Sequence, residues 1–254
     1  MRLATWNVNS LNVRLPHVLD WLAKEQPDVL CLQETKQEDS KFPYEVLAAA
    51  GYPGIHAGQK TYNGVAILSR HPLTDPLFAV PNFADEQKRL IAATLGDIRV
   101  VCAYIPNGQS LDSDKYQYKL GWLKALTNWL GEELQKYPKL MLLGDYNIAP
   151  EDRDVHDPAA WIGQVLVSEP ERAAFQKLAS LGLHDSFRLF DQPEGSFSWW
   201  DYRMAGFRRN LGMRIDHIMV STPLVSSCKA CWIDKAPRKL ERPSDHTPVV
   251  LEIN

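Results

Sequence analysis

The stretch Leu140-Met141-Leu142-Leu143-Gly144-Asp145-Tyr146-Asn147 decides the fold class. Its four leading residues are all apolar, without the polar alternation of a strand that has one wet face, so it reads as a strand buried on both sides. Working outward, short runs rich in β-branched and aromatic residues recur at Leu3 to Val8, Val29 to Gln33, Val65 to Ser69, Ile91 to Leu95, Val100 to Ile105, Phe197 to Trp200, Ile215 to Val220 and Pro248 to Ile253. Helical apolar spacing falls between some of them, over Arg14 to Lys24, Tyr44 to Ala50, Tyr116 to Gln135 and Glu171 to Leu181. The order is mixed rather than a regular alternation of strand and helix. It favours packed sheets flanked by helices over a barrel or a doubly wound sheet.

Across 254 residues, 28 Lys+Arg stand against 31 Asp+Glu, a net charge of −3, and 45% of the chain is hydrophobic. That composition excludes disorder and collagen and predicts a soluble globular protein. Its slight acidity argues against coating nucleic acid through bulk charge, while leaving room for a local basic face. No apolar run reaches the roughly 18 residues of a membrane span, and the first residues lack the long apolar stretch of a signal peptide, so no membrane role and a cytoplasmic location are expected. No linker, low-complexity tract or repeat divides the chain, which reads as a single domain over residues 1–254. Cys31 and Cys102 sit in apolar runs as small buried hydrophobes. Cys228-Lys229-Ala230-Cys231 has CxxC spacing, but no second soft pair completes a zinc site, so packing or surface thiols are expected there.

Acidic and amide residues repeatedly end the apolar runs. Asn7 and Asn9 close the first, Glu34 follows Gln33, and Asp145 and Asn147 follow Gly144. Asp216 and His217 lie within Arg214 to Val220, and Ser244-Asp245-His246 leads into the last run. A single polar residue at a strand end is usually a turn former or cap. Five such places together point to one rim carrying carboxylates, amides and a histidine. Hard oxygen donors without thiolate suit Mg²⁺ or Mn²⁺, and such a site suits phosphoryl chemistry, with a carboxylate or a carboxylate-oriented histidine activating water. Asp216 could orient His246 in that way.

In order along the chain come Thr5-Trp6-Asn7-Val8-Asn9, Pro27 to Lys36 with Leu32-Gln33-Glu34-Thr35-Lys36, Tyr62-Asn63-Gly64-Val65-Ala66 and Tyr104-Ile105-Pro106-Asn107-Gly108. They are followed by Gly144-Asp145-Tyr146-Asn147-Ile148-Ala149-Pro150, Phe197 to Arg203, Gly212 to His217 and Pro243-Ser244-Asp245-His246-Thr247-Pro248. With these motifs the chain resembles, end to end, the exonuclease III family of DNA repair nucleases, within the wider endonuclease/exonuclease/phosphatase superfamily. The resemblance implies an α/β protein, a four-layer α/β/β/α sandwich of two sheets with helices outside. It implies Glu34 as main metal ligand, with Asn7, Asp145, Asn147, Asp245 and His246 completing a metal set for Mg²⁺ or Mn²⁺. It also implies Asp145 as general base or acid, Asn147 holding water and phosphate, the Asp216/His246 pair on the phosphate and Tyr104 as the active-site tyrosine. Expected activities are cleavage 5′ to abasic sites, removal of blocking groups from 3′ ends and 3′ to 5′ exonuclease action on duplex DNA, by a monomer.

Lys36, Trp199, Met213, Arg203, Arg208 and His156 are the expected DNA contacts, Trp199 and Met213 lining a small pocket for a base-less sugar. Trp200 matches the same pocket, and core packing would account for it equally well. Arg203, Arg208, Arg209 and Arg214, with Lys235, Arg238, Lys239 and Arg242, read as a phosphate-tracking face or a solvated surface. His217, alone in an apolar strand, reads as structural. Superfamily phosphatases and phospholipid phosphodiesterases share the machinery but lack this Trp-rich segment. A noncatalytic DNA-binding module would have lost carboxylates that are all present here. His156 stands where abasic endonucleases of the family resemble Asp-Ile-Gly, so its imidazole should hinder cutting within a continuous strand and favour trimming at nicks. His156→Gly is expected to raise internal abasic-site cleavage relative to 3′ trimming; an unchanged ratio of the two rates would refute that role.

Overall fold

The computed structural model describes residues 1–254. In chain order the elements are β1 (Arg2–Asn7), α1 (Leu11–Glu25), β2 (Val29–Gln33), α2 (Tyr44–Ala49), β3 (Gly54–Ala57), β4 (Val65–Ser69), β5 (Thr74–Leu77), β6 (Leu90–Leu95) and β7 (Ile98–Tyr104). Then come α3 (Asp114–Lys136), β8 (Leu140–Asp145), α4 (Pro158–Trp161), α5 (Glu169–Ala179), β9 (Leu183–Asp185), β10 (Trp199–Trp200) and β11 (Gly212–Met213). The chain finishes with β12 (Asp216–Ser221), α6 (Thr222–Val225), β13 (Cys228–Ile233) and β14 (Val249–Ile253). No helix is long and apolar enough to cross a membrane.

Two mixed six-stranded sheets form, in the orders β13-β14-β1-β2-β4-β3 and β5-β6-β7-β8-β12-β9. Each has one parallel pair, β1 with β2 and β7 with β8, and each pair is joined by a long helix, α1 or α3. A parallel pair needs such a crossover, because both strands must run in the same direction.

The alternation hidden within uniformly apolar strands sorts side chains into three buried layers. Along β8, Met141 and Leu143 join Ile91, Val100, Val29, Ile67 and Leu251 between the sheets. Leu140 and Leu142 point the other way, against Trp122, Leu126 and Leu130 of α3 and Phe175 and Leu178 of α5. In the first sheet Leu30, Leu32, Ala66 and Leu68 pack against Leu11, Val18 and Leu22 of α1 and Leu47 of α2. These layers make the α/β/β/α sandwich, and they explain why β8 lacks polar positions: it has no wet face.

The four expected helices correspond to α1, α2, α3 and α5. Sequence patterning misses β3, β5, β9 and β13, which are short or polar strands at or near sheet edges and carry weak apolar signals. The expected strand at Phe197 to Trp200 pairs regularly only as β10 with β11, Trp199 opposite Met213, and bridges onward from Trp199 to His246. Cys31 and Cys102 are buried and free as expected, and the CxxC lies on β13, with Cys231 buried and Cys228 partly so, both free.

Because both faces of β8 are covered, Met141→Ala and Leu142→Ala should each destabilise by roughly 2 to 5 kcal/mol. Urea melts check this; a small loss at either position would mean that its face is not packed.

Candidate active site

The rim follows from strand direction. β1, β2, β7 and β8 all end on one side, delivering Asn7, Glu34, Tyr104 and Asp145. Two antiparallel neighbours begin there: β12 places Asp216 opposite Asp145, and the segment leading into β14 supplies Asp245 and His246. Strand pairing therefore gathers residues more than 200 positions apart. Several rim residues also take left-handed backbone conformations, with φ of 42° at Asn9, 51° at Glu34, 53° at Lys36 and 49° at Asn147. Such angles are costly away from glycine and cluster at functional sites. Gly144 is needed beneath them, since a Cβ there would lie 1.8 Å from the Ala103 carbonyl oxygen of the adjacent parallel strand.

At the centre, the Asn7 amide donates to Glu34 Oε1 and to Asp145 Oδ2, both at 2.9 Å, and so ties one sheet to the other. Its Oδ1 accepts the Asn9 backbone N–H, which fixes the amide with its NH₂ toward the carboxylates. The Asn147 backbone N–H donates to Asp145 Oδ1 at 2.9 Å. Asn147 Nδ2 donates to the Ile105 carbonyl, and its Oδ1 accepts from Asn107. Asp216 accepts from Ser198 Oγ at 2.7 Å and from His246 Nδ1 at 2.9 Å. His246 Nε2 then points to Asp145 Oδ2, 3.7 Å away. Asp245 is held by Trp199 Nε1 and Asn9 Nδ2, each at 3.0 Å, and Lys36 Nζ lies 3.0 Å from Glu34 Oε2.

Burial pushes the Asp145 carboxyl up, the His246 charge opposes this and nearby Asp216 adds to it, leaving Asp145 at about 7. Burial alone would lower His246, but Asp216 and Asp145 outweigh it and raise the imidazole to about 10. The two carboxylates thus favour the charged form of His246, whose Nδ1 lies against Asp216 while Nε2 faces the site. Burial, then the Glu34 charge, raises Tyr104 well above its ordinary value, so its hydroxyl keeps its proton. The Arg89 guanidinium stacks 4.6 Å from the Tyr104 ring.

Glu34, Asp145 and His246 each bring a potential ligand atom within 4.8 Å of the others. Glu34 and Asp145 bring carboxylate oxygens and His246 a ring nitrogen, so all three could hold a metal. Two hard oxygens with room for water and a phosphate oxygen fit a hard divalent cation. The amides of Asn7 and Asn147 face inward as hydrogen-bond donors here, and Asp245 is bonded to Trp199 and Asn9, outside that cluster.

Trp199 is partly exposed beside Asp245, but Met213 is fully buried beneath it with Ala149, Val155, Leu166 and Ile215, and presents no surface of its own. Arg203 is exposed and paired with Asp201, Arg208 is exposed, and His156 bonds the Gly212 carbonyl. Two members of the basic clusters are internal. Arg214 is ion-paired to Asp154 and Asp185, and Arg238 packs on Phe207 while donating to the Ser244 carbonyl, so neither belongs to a phosphate-tracking surface. His217 is structural as expected: it takes a hydrogen bond from Arg214 at Nδ1, donates from Nε2 to the Ile148 carbonyl, and burial lowers it to about 4. Residue typing overlooked Asn107 and Ser198 as site residues, although each lies within a motif that carries the resemblance, and it overlooked Lys119. That lysine is buried in α3, paired with Glu171 and bonded to the carbonyls of Asn107 and Asn147. A lysine within an amphipathic helix gives no local sign that it is internal.

Residues 4–246 match the profile of the Endonuclease/Exonuclease/phosphatase family. Exodeoxyribonuclease III of Haemophilus influenzae is 38% identical over 269 residues, covering 99% of each chain. Among solved structures, a 3′ phosphatase from Neisseria bound to product DNA hairpin superposes with a TM-score of 0.98 at 47% identity, covering 100% of this chain and 99% of that one. An AP endonuclease from Archaeoglobus fulgidus gives 0.97 at 39% identity, covering 100% and 99%. The full-length matches and the shared two-sheet architecture lead to one conclusion: the chain belongs to the endonuclease/exonuclease/phosphatase family.

Proposed function

We propose that this nuclease is a metal-dependent DNA repair enzyme that hydrolyses phosphodiesters of duplex DNA at abasic sites and at blocked or damaged 3′ ends, with 3′ to 5′ exonuclease activity. The observation that carries the reading is the meeting of Glu34, Asp145 and the Asp216-oriented His246 at one rim. Its metal would be Mg²⁺ or Mn²⁺, held by Glu34 and Asp145. When bound, such a cation neutralises a phosphate oxygen and the negative charge that grows on it.

The side chains divide the remaining work. Asp145 is the base that takes a proton from the attacking water, while Asp216 and Asp145 favour the charged form of His246. Asn7 and the Asn147 N–H fix the two Asp145 oxygens for that role. His246 offers Nε2–H to a phosphate oxygen, with Asp216 holding the ring in line, and the Tyr104 hydroxyl offers a second donor. Lys36, Arg203, Arg208 and His156 would contact the DNA. Trp199, supported by Met213, would receive the sugar at the lesion.

The reading takes residues 1–254 as a single catalytic domain acting as a monomer. Pairing of β1 with β14 supports the domain assignment, since strands far apart in sequence share one sheet. It carries with it a cytoplasmic location, the compartment in which an enzyme like the bacterial relatives meets DNA.

The test supplies matched duplexes, with an internal abasic site or with a blocked 3′ end at a nick, in Mg²⁺ and in EDTA. Metal-dependent cleavage of at least one duplex is expected. Asp145→Asn and His246→Asn should each lower kcat by about 100- to 10,000-fold; His246→Asn, which leaves Asp216 and Asp145 without the group between them, should also lower the thermal-unfolding midpoint, whereas Asp145→Asn, which removes one of the repelling carboxylates, should not. Full activity of Asp145→Asn would refute the assignment of the base.

A further inference from the structure

A cleft of about 630 Å³ opens beside the β10–β11 pair, and none of the rim residues lines it. The pair is a partition between the two spaces. Ser198 and Trp199 belong to the rim through Asp216 and Asp245, whereas Phe197 and Leu211, on the adjoining segments, wall the cleft. Val155 bridges to Met213, and the His156 backbone N–H donates to the Gly212 carbonyl, so the loop carrying His156 is bonded to the same partition.

The lining is cationic. Arg153, Arg188 and Arg209 face it with His156, against one carboxylate, Glu194. Arg188 spends one nitrogen on Asp154, while its Nε is buried with no hydrogen-bond partner. Arg209 is exposed, with only a long 3.5 Å contact to the Met204 carbonyl. His156 uses Nδ1 on the Gly212 carbonyl and keeps Nε2 uncommitted. Arg153 spends its Nε on Glu151, so the donors left free toward this concave space, one strand pair away from the rim, are chiefly the Arg209 guanidinium and His156 Nε2.

We propose that this cleft is a second phosphate seat, which takes the terminal 5′ phosphate of the strand lying across a nick from the 3′ end held at the rim. The proposal rests on the reading of the rim as a site for DNA 3′ ends. In that arrangement the 3′ end would rest against Trp199 and the next group across the break would lie past the partition. Charge selects the ligand class. A phosphate monoester carries about −1.5 to −2 and three strong acceptor oxygens, whereas a diester in an unbroken strand carries one charge and two free oxygens. Guanidinium forks that converge from separate segments match the compact, more highly charged group.

Binding measured in EDTA, where no turnover occurs, tests the proposal on nicked duplexes that differ only in a 5′ phosphate or a 5′ hydroxyl, beside an unbroken duplex. The wild-type protein should hold the 5′-phosphorylated nick about tenfold more tightly than the hydroxyl form. Arg209→Ala should reduce that difference to within about twofold, and Glu194→Gln should widen it. Both side chains are exposed, so the folded protein is retained. Equal binding of the two nicks by the wild type, or an undiminished difference in Arg209→Ala, overturns the proposal. An equal loss on the unbroken duplex would mark a surface that tracks diesters, and overturns it as well. In parallel, the wild type with Mg²⁺ is given a recessed 3′ end that has no downstream strand. Failure to process any duplex overturns the functional reading and this proposal with it, whereas processing of the recessed end together with equal binding of the nicks overturns this proposal alone.

Discussion

Gathering carboxylates in a dry space is the constraint on which this structure turns. Asp145 and Asp216 are almost fully buried in register opposite each other, with Glu34 and Asp245 nearby, and like charges so placed repel strongly where water is excluded. The Asn7 amide and the His246 imidazole answer that repulsion. Asn7 donates to two of the carboxylates from the other sheet, and His246 lies between Asp216 and Asp145. A cation would complete the compensation, so the charge balance of the rim favours a bound metal.

The same logic extends beneath the site. Lys119 and Glu171 form a fully buried pair whose lysine also holds the carbonyls of Asn107 and Asn147, and Arg214 is buried between Asp154 and Asp185. A buried ion pair is weak evidence for stability, because desolvation offsets much of the attraction. What these pairs do is geometric. They pin the loops after β7 and β8, and the segment from Glu151 to His156, to helices and strands that cannot move independently of the core. The side chains at the rim inherit that rigidity, which a site working through fixed dipoles requires.

Much of the site was legible in the chain because parallel strands end together. A polar residue after an apolar run marks a strand end, and Asn7, Glu34 and Asp145 all announced themselves in that way. Charged residues inside the fold did not. Arg214 and Arg238 look like neighbouring surface arginines in the sequence, yet both are enclosed by partners from distant segments, which no local pattern encodes. Met213 likewise gave no sign of its depth, which comes from the packing of Val155, Leu166 and Ile215 around it. The edge strands were missed for a related reason: an edge carries fewer apolar side chains and depends on its neighbour for definition.

The sequence by itself determined the layered class, through apolar runs too uniform to have a wet face, and it determined the family, through motifs whose order and spacing span the chain. It also determined which residue types could do the chemistry, since the acids, amides and histidine are written at the strand ends. The tertiary structure alone decided their relations: which way the Asn7 amide faces, that His246 lies between two carboxylates, and that β10 and β11 separate the rim from a cationic cleft. The physical reason is that hydrogen-bond direction, desolvation and charge coupling depend on atoms brought together from across the chain, and distances of that kind exist only once the two sheets have closed on each other.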